Sequence, residues 1–316
     1  MADWFTASKQ SHLKRRLQSI VQVASVVLIT SNLWAGSVFA KDPFRTANPR
    51  AIGDKTEAAF RALFEQGDYK AAETQLAQAE PNEPLAYALR SLVAFTKLDG
   101  EKDKDKKSAI LAQIQSDAAK TRETAQQILS SDPLRGNLYL AVGEFLDGAY
   151  VFAKEGTVKG IPHALSKLQT VTNYLETAET QSPNDPELNL VKGFMDLYAG
   201  LNLPFSDTKK AMERLDKYAG PRYLADWGLA LGYRELDQYD QAMTAVDRAL
   251  QQAPSNPDFL YLKAQLLAKK GNYQEATNYL NKALTKQDQL PKSTVKQMKR
   301  DLSRAQKRLN GTATTK

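Results

Sequence analysis

Apolar positions in this chain recur at steps of three and four residues from residue 52 to residue 309, and no strand-like run interrupts them. That spacing lays one apolar stripe along each of a series of helices and makes the body all-α. Turn residues divide the series into pairs: 52–66 with 69–80, 84–99 with 107–130, 135–154 with 161–181, 186–200 with 207–218, 221–236 with 239–252, and 257–270 with 273–286. A single helix, 292–309, follows. Its stripe is Val295, Met298, Leu302, Ala305 and Leu309, and its other faces carry Lys296, Lys299, Arg300, Arg304, Lys307 and Arg308. An array end needs such a helix, apolar inward and polar outward. Thr294-Val295-Lys296-Gln297 fits a capping box at its start, and Asn310-Gly311 fits its end.

The last two pairs are copies of one another at a spacing of 34 residues. Setting 223–256 on 257–290 places Ala230 on Ala264, Ala242 on Ala276, Ala249 on Ala283, Tyr239 on Tyr273 and Leu250 on Leu284. Small side chains at those places let two helix axes approach to ~8–10 Å. The turns read Leu236-Asp237-Gln238-Tyr239-Asp240 and Lys270-Gly271-Asn272-Tyr273-Gln274, with Gly271 suited to a left-handed C-cap and each tyrosine expected to bury its ring. Upstream, Gln66-Gly67-Asp68-Tyr69 repeats the turn, and Gly143 and Gly193 mark the small site of a first helix. The junction Pro81-Asn82-Glu83-Pro84 recurs as Pro183-Asn184-Asp185-Pro186 and as Pro254-Ser255-Asn256-Pro257.

This pattern resembles the tetratricopeptide repeat. Tyr233 is in place in one copy, while Leu267 replaces the aromatic in the other and Asp288 stands where the closing proline is expected. The resemblance implies a right-handed α-solenoid of about six helix pairs with a C-terminal capping helix. In such proteins the first helix of each pair lines a concave groove that takes a protein or peptide segment. Carried over place by place, the implied lining is Leu190, Phe194, Leu197 and Tyr198, then Trp227, Leu231, Arg234 and Glu235, then Tyr261, Gln265 and Lys269. Trp227 and Tyr261 are the expected anchors, because large aromatics dominate interface centres. The competing account is that both rings fill the seam between pairs.

A leader precedes the array. Lys9, Lys14, Arg15 and Arg16 supply a basic start, 20–33 a mostly apolar stretch, and Ser37-Val38-Phe39-Ala40 a peptidase site before Lys41-Asp42-Pro43. Cleavage is expected between Ala40 and Lys41; a retained anchor is the other reading, weakened by Gln22, Ser25, Thr30, Ser31 and Asn32 inside the stretch. The expected layout is a signal peptide over 1–40, a short linker over 41–51, the repeat domain over 52–290, a basic cap over 291–309 and a disordered tail over 310–316. The leader with the segments 186–197 and 202–206 resembles an exported tetratricopeptide family of cyanobacteria, which implies periplasm or thylakoid lumen.

Charge is uneven. Of the net +7, residues 1–40 hold +3 and residues 285–316 hold +7, leaving the body at −3. The C-terminal cations have no aromatic partners for base stacking, so no nucleic-acid partner is expected; contact with an anionic membrane or wall polymer is the second functional reading. Chemistry is sparse. The chain has no cysteine, and after the leader its one histidine is His163. No phosphate loop, nucleophile elbow or calcium loop is present. No cofactor, metal or catalytic residue is expected, and an enzyme with a carboxylate site is the third reading. The first is an exported, non-enzymatic interaction scaffold, assisting an envelope or photosynthetic membrane complex.

Overall fold

The computed structural model describes residues 42–202 and 208–313. The leader, with Ala40 and Lys41, lies outside them, as do Pro204 and Phe205 of one connector. The chain folds into the expected all-α array of helix pairs with a terminal helix. Helix α1 (Asp54–Phe60) runs into a π turn (Arg61–Gln66) and pairs with α2 (Tyr69–Leu76). Helices α3 (Pro84–Leu98) and α4 (Lys104–Ile128) follow, then α5 (Pro133–Gln181), α6 (Pro186–Asn202) and α7 (Thr208–Lys217). The array continues as α8 (Arg222–Glu235) with α9 (Tyr239–Gln252) and α10 (Pro257–Lys269) with α11 (Tyr273–Leu284). It ends in α12 (Lys292–Ala313).

Differences from expectation are local. The connector expected over 155–160 shrinks to one residue, Gly156, whose φ of 77° and ψ of −173° break α5 into two halves. Only glycine enters that region without strain. Helix α12 runs past its expected end at Asn310-Gly311 to Ala313, into the stretch expected to be a tail.

Two sequence marks have clear structural jobs. The junctions start the first helices: Glu83, Asp132, Asp185 and Asn256 each accept a bond from an amide of the helix they open, at 3.0–3.1 Å, and a proline follows each. Proline at that place gives up no intrahelical bond and its φ is already helical. The turns need a left-handed residue two places before the tyrosine: Gly67, Asp237 and Gly271 have φ of 71°, 57° and 83°. Asn272 N then bonds Leu267 O at 2.9 Å and Gln238 N bonds Tyr233 O at 2.8 Å, closing each helix end. In the first pair the π turn adds one residue, and Asp68 N reaches back to Ala62 O.

The register alanines form the seam. Ala230, Ala264, Ala242, Ala276, Ala249 and Ala283 are all buried. Of the turn tyrosines, Tyr69 is buried while Tyr239 and Tyr273 stay half-exposed, against the expectation for all of them.

The array closes on itself. Besides packing on α3, the first pair touches the last ones: the π turn meets α8, and α2 meets the 3-10 turn Gln287–Gln289 before α12. Asn256, which caps α10, also donates to Phe64 O at 3.1 Å. The stretch expected to be a linker is packed as well, with Asp42, Pro43, Phe44 and Ile52 buried. Phe44 meets Phe60 edge-on at 4.8 Å.

Candidate interaction surface

Closure decides which groove positions are open. The first halves of α8 and α10 are buried on every side, from Tyr223 to Ala230 and from Pro257 to Leu262. Trp227 is 2% exposed, its ring 5.7 Å from Phe194 and 6.3 Å from Phe259. The expected anchor is therefore a core residue that joins three consecutive first helices. Gly228 makes this possible, since a Cβ there would stand 2.8 Å from the Phe194 ring. Tyr261 is 3% exposed and donates its hydroxyl to Asp301 of α12 at 2.6 Å. Leu190 and Leu197 are buried too. The seam account, not the anchor account, fits all four.

Phe194, Tyr198, Leu231, Arg234, Glu235 and Gln265 are half-buried, and Lys269 is exposed. Tyr198 meets Phe145 edge-on at 6.5 Å. Lys269 lies apart, over the Tyr239 ring at 5.8 Å. The polar members form a row. Arg234 donates to Glu235 at 2.8 and 3.0 Å and, through Nη1, to Gln265 Oε1 at 2.8 Å. One turn back on α10, Tyr261 leads to Asp301, which also accepts from Gln297 at 3.1 Å and from Arg304 at 3.0 Å. Burial raises the Tyr261 phenol, and Asp301 adds to the effect, so it stays a donor at any ordinary pH. The row crosses α8, α10 and α12 and carries both signs of charge. The tetratricopeptide resemblance named Arg234, Glu235 and Gln265 as groove lining but not Asp301, Gln297 and Arg304, which belong to another element.

Helix α12 presents two faces. Thr294, Met298 and Ala305 are buried against the last pair, while Val295 and Leu302 are half-buried. On the opposite side Lys292, Lys296, Lys299, Arg300 and Lys307 line a shallow trough beside Gln287 and Asp288. Among the described residues none of these five cations makes an ion pair.

A second constellation was not foreseen. The acids that open α3, α5 and α6 converge on arginines from elsewhere. Arg135 bonds Glu83 at 2.7 Å and Glu187 at 3.1 Å, and Tyr139 donates to Glu187 at 2.7 Å. Arg45 bonds both oxygens of Asp185 at 2.6 Å and Glu187 at 3.1 Å; Arg50 reaches Asp132 at 3.2 Å. Burial pushes the Glu187 carboxyl up, but Arg135, Arg45, the Tyr139 hydroxyl and Arg50 outweigh it and hold its pKa below the usual carboxylate value. The available signal was an acid before proline at repeated junctions. The carboxylates brought together here, Glu83 and Glu187, share Arg135 as an ion-pair partner. Among the described residues no cluster of three His, Asp or Glu side chains is arranged to hold a metal. No described helix is long and apolar enough to cross a membrane.

The family described as Tetratricopeptide repeat matches residues 228–291. No curated protein matches the sequence. Among solved structures, the chain is similar to one in the crystal structure of the APC/C hetero-tetramer Cut9-Hcn1, with a TM-score of 0.37 and 15% identity over 75% of this chain and 45% of that one. It spans less than half of that chain's length. A second is the TPR2AB-domain:pHSP90-complex of yeast Sti1, with a TM-score of 0.34 and 14% identity over 75% of this chain and 92% of that one. Residues 228–291, which hold α9 to α11 and most of α8, are thus similar to the tetratricopeptide repeat family.

Proposed function

We propose that this chain is a protein-interaction scaffold without catalysis of its own, and that its contact surface is the row from Glu235 through Arg234 and Gln265 to Asp301. The observation that carries this reading is the contrast on α8 and α10. Their first halves are sealed into the core, while their second halves present polar groups held in place by one another. Held polar groups lose little freedom on binding, which favours recognition of a segment by hydrogen bonds. The row's α8 and α10 residues fall within the segment that matches the repeat family. The aromatic groove is replaced by a polar one with Leu231 beside it. Export through the leader, and a role in assembling an envelope or photosynthetic complex, are the setting we attach to this reading. N-terminal sequencing of the exported protein should begin at Lys41, and recovery of Met1 in the membrane pellet would contradict export with cleavage. Arg234→Ala with Gln265→Ala should abolish partner capture and leave melting nearly unchanged.

The unpaired cations on α12 favour a second reading, an electrostatic adaptor for anionic membrane or wall polymer. The helix spends its apolar face on the core, so any such contact would be purely ionic. Salt-sensitive binding to anionic vesicles, lost in Lys296→Ala with Lys299→Ala, would support it.

A further inference from the structure

Residues 42–50 lie along the array as a bound peptide would. Asp42 organises the segment from within: its carboxylate accepts from Phe44 N at 2.9 Å, Arg50 N at 2.8 Å and Arg45 Nη1 at 2.9 Å. The contacts outward are of a different kind. Phe44 inserts its ring beside Phe60, and its carbonyl lies so close to Gly220 that a Cβ there would stand 2.7 Å from it. Arg45 presents its guanidinium fork to Asp185 and Glu187, and Arg50 meets Asp132.

One acid of the cradle has partners outside the segment. With the segment away, Glu187 keeps Arg135 and Tyr139. Among the described residues, Asp132 and Asp185 would each keep only the amide they cap. Their carboxylates, buried or half-buried, would then lack a cation, a condition that draws in a positively charged replacement. Arg45 Nη2 makes both short bonds to Asp185 and Nε adds a third at 3.2 Å, a two-nitrogen grip that a lysine ammonium does not reproduce.

We propose that the cradle at the starts of α5 and α6 is a docking site for an extended, arginine-bearing protein segment, and that residues 42–50 are its exchangeable occupant in cis. The site is separate from the polar row on α8, α10 and α12, and stands or falls without it.

The test uses the full chain with Phe44→Ala and Arg45→Ala, and a fluorescent synthetic peptide of residues 42–52. The variant should bind the peptide saturably and at least about ten-fold more tightly than wild type, whose cradle is filled. A peptide carrying Arg45→Lys should bind more weakly. Equal binding to both proteins, or none to the folded variant, would overturn the proposal. Hydrogen exchange on the wild type decides the matter if the variant does not fold. The amides of Phe44 and Arg50 should exchange at least roughly a hundred-fold faster than that of buried Leu266. Equal rates would mean that the segment leaves only when the whole chain unfolds, and the proposal would fail.

Discussion

Trp227 is where a single side chain decides between two accounts. Its ring spans the seam of three first helices, so Trp227→Ala should destabilise the protein by about 3–5 kcal/mol. A denaturant titration measures this; unchanged stability would return the ring to the groove. The small residues were legible in sequence because their requirement is local: Ala230, Ala264 and Gly271 are dictated by the helix approach or the turn they occupy. The burial of Trp227 was not, since the same spacing serves a groove or a seam and the approach of Phe194 and Phe259 from neighbouring helices chooses between them. Glu187 is a second residue whose role needed coordinates. Because its folded pKa is depressed, the stability it contributes is full above the usual carboxylate value of about 4.3 and is lost as pH falls through the lowered one. Glu187→Gln should therefore cost about 1–3 kcal/mol at neutral pH, because Arg135 keeps Glu83 but loses its second carboxylate, and should flatten the loss of stability in acid. Parallel acid profiles for wild type and variant would contradict this.

At the scale of elements, α12 acts as a cap before it acts as a charge. Its stripe was legible because apolar periodicity survives on a terminal helix. The order of importance within the stripe was not, because it depends on how deeply the last pair receives each side chain. Met298 is fully buried while Leu302 is only half-buried. Met298→Ala should lower stability by about 2–5 kcal/mol. Lys299→Ala with Arg300→Ala should change melting little, because both cations are exposed and make no ion pair among the described residues. Equal effects in thermal melts would remove the capping account. The junction acids have a similar lesson: the repeated junctions holding Glu83 and Asp185 were legible in sequence, but the convergence of these acids on Arg45 and Arg135 joins elements far apart in sequence.

For the whole molecule, closure changes how stability is shared. An open repeat array is a sum of units and neighbour contacts, and its ends fray first. Here the first pair rests on the last two through Asn256, the π turn and α2. Closure predicts that amides in α2 and α11 exchange about as slowly as those in α8, in one cooperative unit. Fraying of α2 well ahead of α8 would contradict it. Closure also withdraws the aromatic groove and leaves the polar row as the face offered to a partner, which is the central functional claim. Crosslinking capture from an envelope fraction tests that claim most directly. Wild type is compared with Arg234→Ala/Gln265→Ala and with Lys296→Ala/Lys299→Ala, at matched melting temperature. The account predicts that the first variant loses the captured protein and the second keeps it. Retention by the first variant, or loss by the second alone, would contradict the account.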